Sequence, residues 1–433
     1  MSDTQRKRHM IRIDQLCVGL HVKLDGWLDH PFLFSNFKIS SQDQIDALHS
    51  MGLEEIEYLP FKSDAMPRPS APTPSEGGAA SAPAAVDGPA AAALTQLMED
   101  KKAKIEKLNK SRVRIQAAQK KYATMANLVK NLTRIAADKP AQAAAQAKDV
   151  ALDMAQIFAT EHETYLHLMG ENVADESGTY FHNINVSVMS LLLARALGID
   201  DPAATAEIAQ GAILHDVGKM LIPSQVLLKD DGLTQAETKL MNMHPTYGLQ
   251  LMMPVDSLGQ RVREIIAFHH EMIDGSGYPN GLRGDAISQA ARIVSIANVF
   301  DNLCNQRVVA RSKTPSEALA FMYKNELSKY DKVALSAFVK ALGVYPPGTI
   351  VTLKSGKVGI VMSVDSSDLL HPNLMIYDPE VPKADAAIVN LRRDLADEVD
   401  RTLRPSALPP AIHDYLSPRK RICYFVDNAG QWA

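Results

Sequence analysis

The sequence predicts a mainly α protein: an all-helical bundle core, a small α+β N-terminal module and a β-rich C-terminal appendage. Three observations carry this. Apolar residues recur at helical spacing through 179–344, in segments closed by Gly198 and opened by Thr234 and Pro245. Short strand-like runs bracket that region, Ile11-Arg12-Ile13 before it and Thr349-Ile350-Val351-Thr352-Leu353 after it. A proline-, alanine- and glycine-rich stretch at 63–93 parts the first module from the rest.

Residues 10–62 read as the first module. Ile11–Ile13 and Val22-Lys23-Leu24 are expected strands, and Trp27–Phe32 is aromatic and turn-like. Ser41 caps an expected helix over Gln42–Met51, Gly52 ends it, and Ile56–Leu59 is a closing strand. Residues 63–93 cannot bury enough apolar surface to fold and read as a flexible linker. The helical region 94–178 follows. Leu94, Leu97, Ile105, Leu108, Ile115, Met125, Leu128, Leu132 and Ile135 form an irregular stripe over 94–137. That stripe suits a homodimer contact or packing on its own domain. A second helix is expected over Ala141–Leu168.

The core holds expected helices at Phe181–Leu197, Ala204–Val217, Leu258–His270 and Ser288–Asn305, with a further helix capped by Thr234 and one starting at His244-Pro245. In 345–433, Thr349–Leu353, Gly359–Val364 and Leu374–Tyr377 read as strands, with Ser355-Gly356 as a hairpin turn.

The bulk numbers narrow the function. A net charge of −4 argues against a general nucleic-acid binder. Three scattered cysteines, Cys17, Cys304 and Cys423, fit a reducing compartment. Neither a membrane span nor a signal core is evident, so a cytoplasmic protein is expected.

The chemistry lies in Ile213-Leu214-His215-Asp216-Val217-Gly218-Lys219 and in His269-His270-Glu271 followed by Asp274-Gly275-Ser276-Gly277-Tyr278-Pro279. His182, His215, Asp216, His244, His269, His270 and Asp301 all stand in or beside apolar helical segments, where an unpaired polar group is costly. One such histidine is ordinarily a satisfied core residue; seven such groups in one domain indicate metal. They exceed what a tetrahedral zinc takes and suit two octahedral ions, with Asp216 as the bridge. Such a pair favours phosphoryl hydrolysis, and redox work at a di-iron site is the other reading. Lys219, a turn beyond Asp216, can meet a substrate phosphate or lie at the surface. Arg307 and Arg311 can neutralise a second phosphate or serve only as surface charge. Tyr278 can line a cleft for a base, face a partner, or pack on its own domain.

These motifs resemble the HD-GYP family of the HD phosphohydrolase superfamily, as do His244-Pro245 with Gly248, Gly281-Leu282 with Gly284, and Ala291–Val294 leading to Asp301. Residues 10–62 are similar to the small uncharacterised domain that often precedes HD-GYP domains in bacteria. The resemblance implies an HD-type helical bundle at 179–344 that hydrolyses cyclic di-GMP to pGpG and, in some members, GMP. It also implies two divalent ions, iron or manganese. By position, His182, His215, Asp216 and Asp301 would hold one, and Asp216, His244, His269 and His270 the other. Lys219 would act at the attacked phosphate, with Arg307 and Arg311 on substrate phosphates. Members with three metals carry a glutamate where this chain has Gly178, so two are expected. Val308-Val309 stand where the family often places an aromatic residue. The alternatives are an adapter that binds a diguanylate cyclase through the Tyr278 loop, and a hydrolase for another cyclic dinucleotide.

Overall fold

The computed structural model describes residues 9–24, 32, 35–60, 63–69, 99, 120–159, 164–168, 179–229, 232–308, 311–364, 368–379, 381, 383, 386, 388–395, 397–416 and 424–428. They fall into two units, one drawn from 1–113 with 377–387, the other from 114–376 with 388–433. The expected features at Trp27–Pro31, at 70–93, at Leu94–Ile115, at Gly178 and at Val309 lie outside the described residues.

The first unit is a four-stranded antiparallel sheet, in spatial order β1-β4-β2-β3, with one helix. Its elements are β1 (His9–Arg12), β2 (His21–Lys23), β3 (Asn36–Lys38), α1 (Gln42–Ser50) and β4 (Glu55–Tyr58). The Ser41 side chain accepts from the Gln44 amide and so caps α1. Leu16, Leu20, Val22, Ile39 and Leu48 fill the core. Strand β3 was not expected, because Asn36-Phe37-Lys38 offers a single apolar residue; its register with β2 makes it a strand. Residues 63–69, where the linker was expected to begin, are tied to this unit. The Asp64 amide donates to the Gly19 carbonyl and the Arg68 amide to that of Gln15, both at 2.9 Å.

The second unit begins with α2 over 120–135, which sends Tyr122, Val129 and Leu132 into the helical core. Of the described part of the expected dimer stripe, Met125 and Leu132 are buried and Ile135 packs against the same core, while Leu128 is exposed. Helix α3 (Pro140–Ala159) stops well before Leu168, and Thr164–Leu168 forms β5 instead. The alanine-rich run favours helix. Thr164-Tyr165-Leu166-His167-Leu168 favours strand once β7 and β11, from the far end of the chain, pair with it.

Helices α4 (Thr179–Ala196), α5 (Pro202–Leu214), α6 (Ser224–Leu227), α7 (Gln235–Met241), α8 (His244–Met252), α9 (Gln260–Phe268), α10 (Gln289–Cys304), α11 (Pro315–Asn325) and α12 (Lys332–Leu342) complete the bundle. Helix α5 starts at Pro202 behind Asp201, whose carboxylate accepts from the Ala204 amide at 2.8 Å. From Ala204 to Leu214 it is buried except at Glu207, and it lies against α3, α4 and α9. It ends at Leu214, earlier than the expected Val217, and His215-Asp216 lead into a 3₁₀ turn at Val217–Leu221. Gly218 lets this turn touch α8 backbone to backbone, since a Cβ there would strike the His244 carbonyl and the Gly248 amide. That contact sets the distance between Asp216 and His244.

The C-terminal strands are β6 (Ile350–Leu353), β7 (Val358–Val364), β8 (Asn373–Ile376), β9 (Ile388–Asn390), β10 (Val399–Leu403) and, after α13 (Pro410–Leu416), β11 (Tyr424–Asn428). The sheet runs β10-β6-β7-β5-β11, with β8 on β7 and β9 on β8. Among the described residues no helix is long and apolar enough to cross a membrane.

Substituting Gly218→Ala forces the two backbones apart. We expect a loss of about 1–3 kcal/mol in chemical denaturation; an unchanged midpoint would refute the contact.

Candidate metal centre

Four elements deliver the site. Helix α4 carries His182, the end of α5 carries His215 and Asp216, α8 opens on His244, and α9 ends at His269 with His270 next. Among the described residues two ligand groups form, each with its ligand atoms within 4.8 Å of one another: His182, His215 and Asp216, and Asp216, His244, His269 and His270. Asp216 belongs to both, and its oxygens divide between them. Oδ2 lies 3.4 Å from His215 Nε2 and 3.7 Å from His182 Nε2. Oδ1 lies 3.3 Å from His244 Nε2 and 3.8 Å from His269 Nε2.

The tautomers follow from what the other ring nitrogens touch. Nδ1 of His215 is 2.7 Å from the Ala212 carbonyl, and Nδ1 of His244 is 2.7 Å from that of Met241. His269 Nδ1 meets the carbonyls of Ile265 and Ile266 at 3.2 and 3.1 Å. A carbonyl only accepts, so each Nδ1 carries the proton and each Nε2 presents a lone pair. His182 follows the same rule, its Nδ1 facing Asp301 Oδ2 at 2.7 Å. Yet the Nε2 atoms of His182 and His215, and of His244 and His269, stand 3.2 Å apart. Two lone pairs repel at that distance unless a cation lies between them. Asp216 Oδ1, buried, has no hydrogen-bond partner among the described residues. Inward lone pairs, an orphaned carboxylate oxygen and outward N–H groups held by carbonyls form the donor set of a divalent-metal site.

The electrostatics agree. Burial pulls the His215 imidazole down despite Asp216 beside it. Burial first, then neighbouring imidazoles, hold His269 and His270 well below the ordinary value. The rings are thus neutral, the form that ligates. Burial pushes the Asp216 carboxyl up, but the positive charge around it, the Lys219 ammonium included, outweighs burial and keeps the group ionised, well below the usual range. Lys219 Nζ is 2.5 Å from Asp216 Oδ2.

The other expected residues are placed as follows. Asp301 falls outside both ligand groups and bonds His182, while Asn185 and Asn305 donate to its Oδ1 at 2.7 and 2.9 Å. Tyr278 stacks on His270, ring centroids 4.5 Å apart. Its phenol is raised far above its ordinary value by burial and then by Asp216. Arg307 donates to the Leu227 carbonyl at 3.1 Å, and Arg311 is exposed.

Sequence reasoning attached no role to Glu271. This carboxylate is 2% exposed and accepts from the Asn280 and Leu282 amides at 2.7 and 2.8 Å. It latches the loop that carries Tyr278. Gly277 has the same task, since a Cβ there would enter the backbone at His270–Met272. An acidic residue immediately after two histidines was the available signal.

Residues 94–333, more than half the chain, match the HD domain family. The chain belongs to the HD domain family. Its His-Asp pair and Gly-Tyr-Pro loop are the motifs that carry the resemblance to the HD-GYP form of that domain. Residues 8–147 match a second family, described as a domain of unknown function (DUF3391), so the two matches share 94–147 and with it α2. A cyclic di-GMP phosphodiesterase of Pseudomonas aeruginosa is 29% identical over 370 residues, covering 85% of this chain and 84% of the relative. The cyclic di-GMP phosphodiesterase response regulator RpfG of Xanthomonas campestris is 36% identical over 188 residues, 43% of this chain and 50% of its own. A 3′3′-cGAMP-specific phosphodiesterase of Vibrio cholerae is 34% identical over 165 residues, 38% of this chain and 35% of its own. The chain thus spans most of the first relative and half or less of the other two.

Two outcomes are expected of this HD domain. Unfolded imidazoles titrate near 6.5 and the buried ones below it, so the unfolded chain takes up protons first as pH falls past 6.5 and metal-free stability drops. Thermal midpoints in chelator should therefore decline from about pH 7 to about pH 5, and His269→Gln should flatten the decline. Glu271→Gln turns one acceptor into a donor facing an amide and should cost about 1–3 kcal/mol. Faster hydrogen exchange confined to 274–284 would be its signature.

Proposed function

We propose that this HD-GYP protein is a metal-dependent phosphodiesterase that hydrolyses cyclic di-GMP to pGpG, and that the two ligand groups hold two divalent ions, iron or manganese. The division of the Asp216 oxygens between two sets of inward imidazoles carries this reading. The first two relatives described above are named for the same substrate. His182, His215 and Asp216 would hold one ion, with Asp301 orienting His182; Asp216, His244, His269 and His270 would hold the other. When bound, such a pair supplies positive charge to a phosphodiester and a nucleophile at neutral pH.

The chain's own residues do the rest. Lys219, half-buried on the Asp216 side, brings a fixed ammonium to a non-bridging phosphate oxygen. Tyr278 keeps its proton at any working pH, so its hydroxyl donates a hydrogen bond and does not act as a base. The Glu271 latch holds that ring on His270, so loop and ligand move as one. Arg307 and Arg311 serve the second phosphate of the cyclic substrate.

One observation favours a second substrate. A relative is named for 3′3′-cGAMP, which has the same cyclic phosphodiester ring.

Full-length protein purified without oxygen and loaded with iron or manganese should linearise cyclic di-GMP, with pGpG resolved by ion-exchange chromatography. Asp216→Asn keeps the shape and removes the bridging charge; turnover should fall roughly 100-fold or more. Unchanged turnover, or two ions absent from elemental analysis of the active protein, would sink the proposal. Competition between cyclic di-GMP and 3′3′-cGAMP decides the substrate.

A further inference from the structure

Helix α2 lies in the stretch shared by the two matched families and reaches the ligands through buried side chains. Tyr122 is fully buried and donates from its hydroxyl to Asn185 Oδ1 at 3.4 Å, a long bond. Asn185, also fully buried, donates from Nδ2 to Asp301 Oδ1 at 2.7 Å. Asp301 Oδ2 then accepts a hydrogen bond from His182 Nδ1–H, leaving Nε2 facing His215 and Asp216. The order is directional. Turning the Asn185 amide over would set its carbonyl against the Asp301 carboxylate, so only one orientation satisfies the chain. A second contact holds the same end of α4: the Tyr122 ring stacks on Phe181, immediately before His182, with centroids 6.0 Å apart.

We infer that Asn185 and Tyr122 are positioning residues for His182, so that the place of α2 sets the affinity of the ion held by His182, His215 and Asp216. This rests on the two-ion reading above. Outer partners of a metal-bound histidine fix its tautomer and ring angle, and their loss commonly costs about 10–100-fold in metal affinity. Here the outermost partner comes from the helix that leads in from the N-terminal part of the chain. Displacement of α2 thereby reaches one ion and not the other, since His244 and His269 are oriented by carbonyls of Met241, Ile265 and Ile266.

The test is a manganese titration of metal-stripped full-length protein by calorimetry, alongside far-UV circular dichroism and thermal midpoints. Wild type should show two sites. Asn185→Ala should weaken one site roughly 10-fold or more and leave the other unchanged. Tyr122→Phe keeps the ring on Phe181 and should weaken the same site by a smaller factor. Asn183→Ala is the control for burial alone. Asn183 lies on the same helix, equally enclosed, but donates to the Ile213 carbonyl, so its loss should lower the midpoint without moving either affinity. Folded Asn185→Ala and Tyr122→Phe proteins with both affinities intact overturn the inference. Equal weakening by Asn183→Ala overturns it too. A wild type that binds no pair of ions refutes the two-ion reading itself.

Discussion

One buried carboxylate organises the molecule. Asp216 is ionised among imidazoles whose lone pairs point at one another, an arrangement that needs positive charge at its centre. Lys219 supplies part of that charge from one side. The rest of the core can be understood as what keeps four helices close enough for the crowding to persist. The apolar α5 brings the His-Asp pair to the centre, the Gly218 contact draws α8 in, and α9 stops where His269 must turn inward.

Much of this was legible in the residues. The seven candidate ligands stood out because each interrupts an apolar helical run, where only a ligand role or a satisfied hydrogen bond justifies the burial. Six of the seven fall in the two ligand groups. Caps and breakers located several helices to within a few residues: Ser41 and Thr234, read as caps, each accept from an amide in the first turn.

What escaped was set by partners distant in sequence. Strand β5 continues an apolar pattern that local reading extends as helix, and only pairing with β7 and β11 makes it a strand. The three residues of β3 carry too little signal by themselves. Tyr122 and Asn185 belong to apolar stripes where they look like ordinary core, and their hydroxyl and amide gain meaning only beside Asp301. Asp301 itself, expected among the ligands, faces the proton-bearing nitrogen of His182. Spacing along a chain cannot tell an inner neighbour from an outer one.

The pairing of β5 with β11 also constrains the order in which the second unit closes. Thr164–Leu168 precedes the first ligand helix and Tyr424–Asn428 lies beyond the last candidate ligand, so the two strands bracket the whole centre in sequence. Contacts that far apart along a chain form slowly, and until β11 arrives β5 lacks one of its two partners.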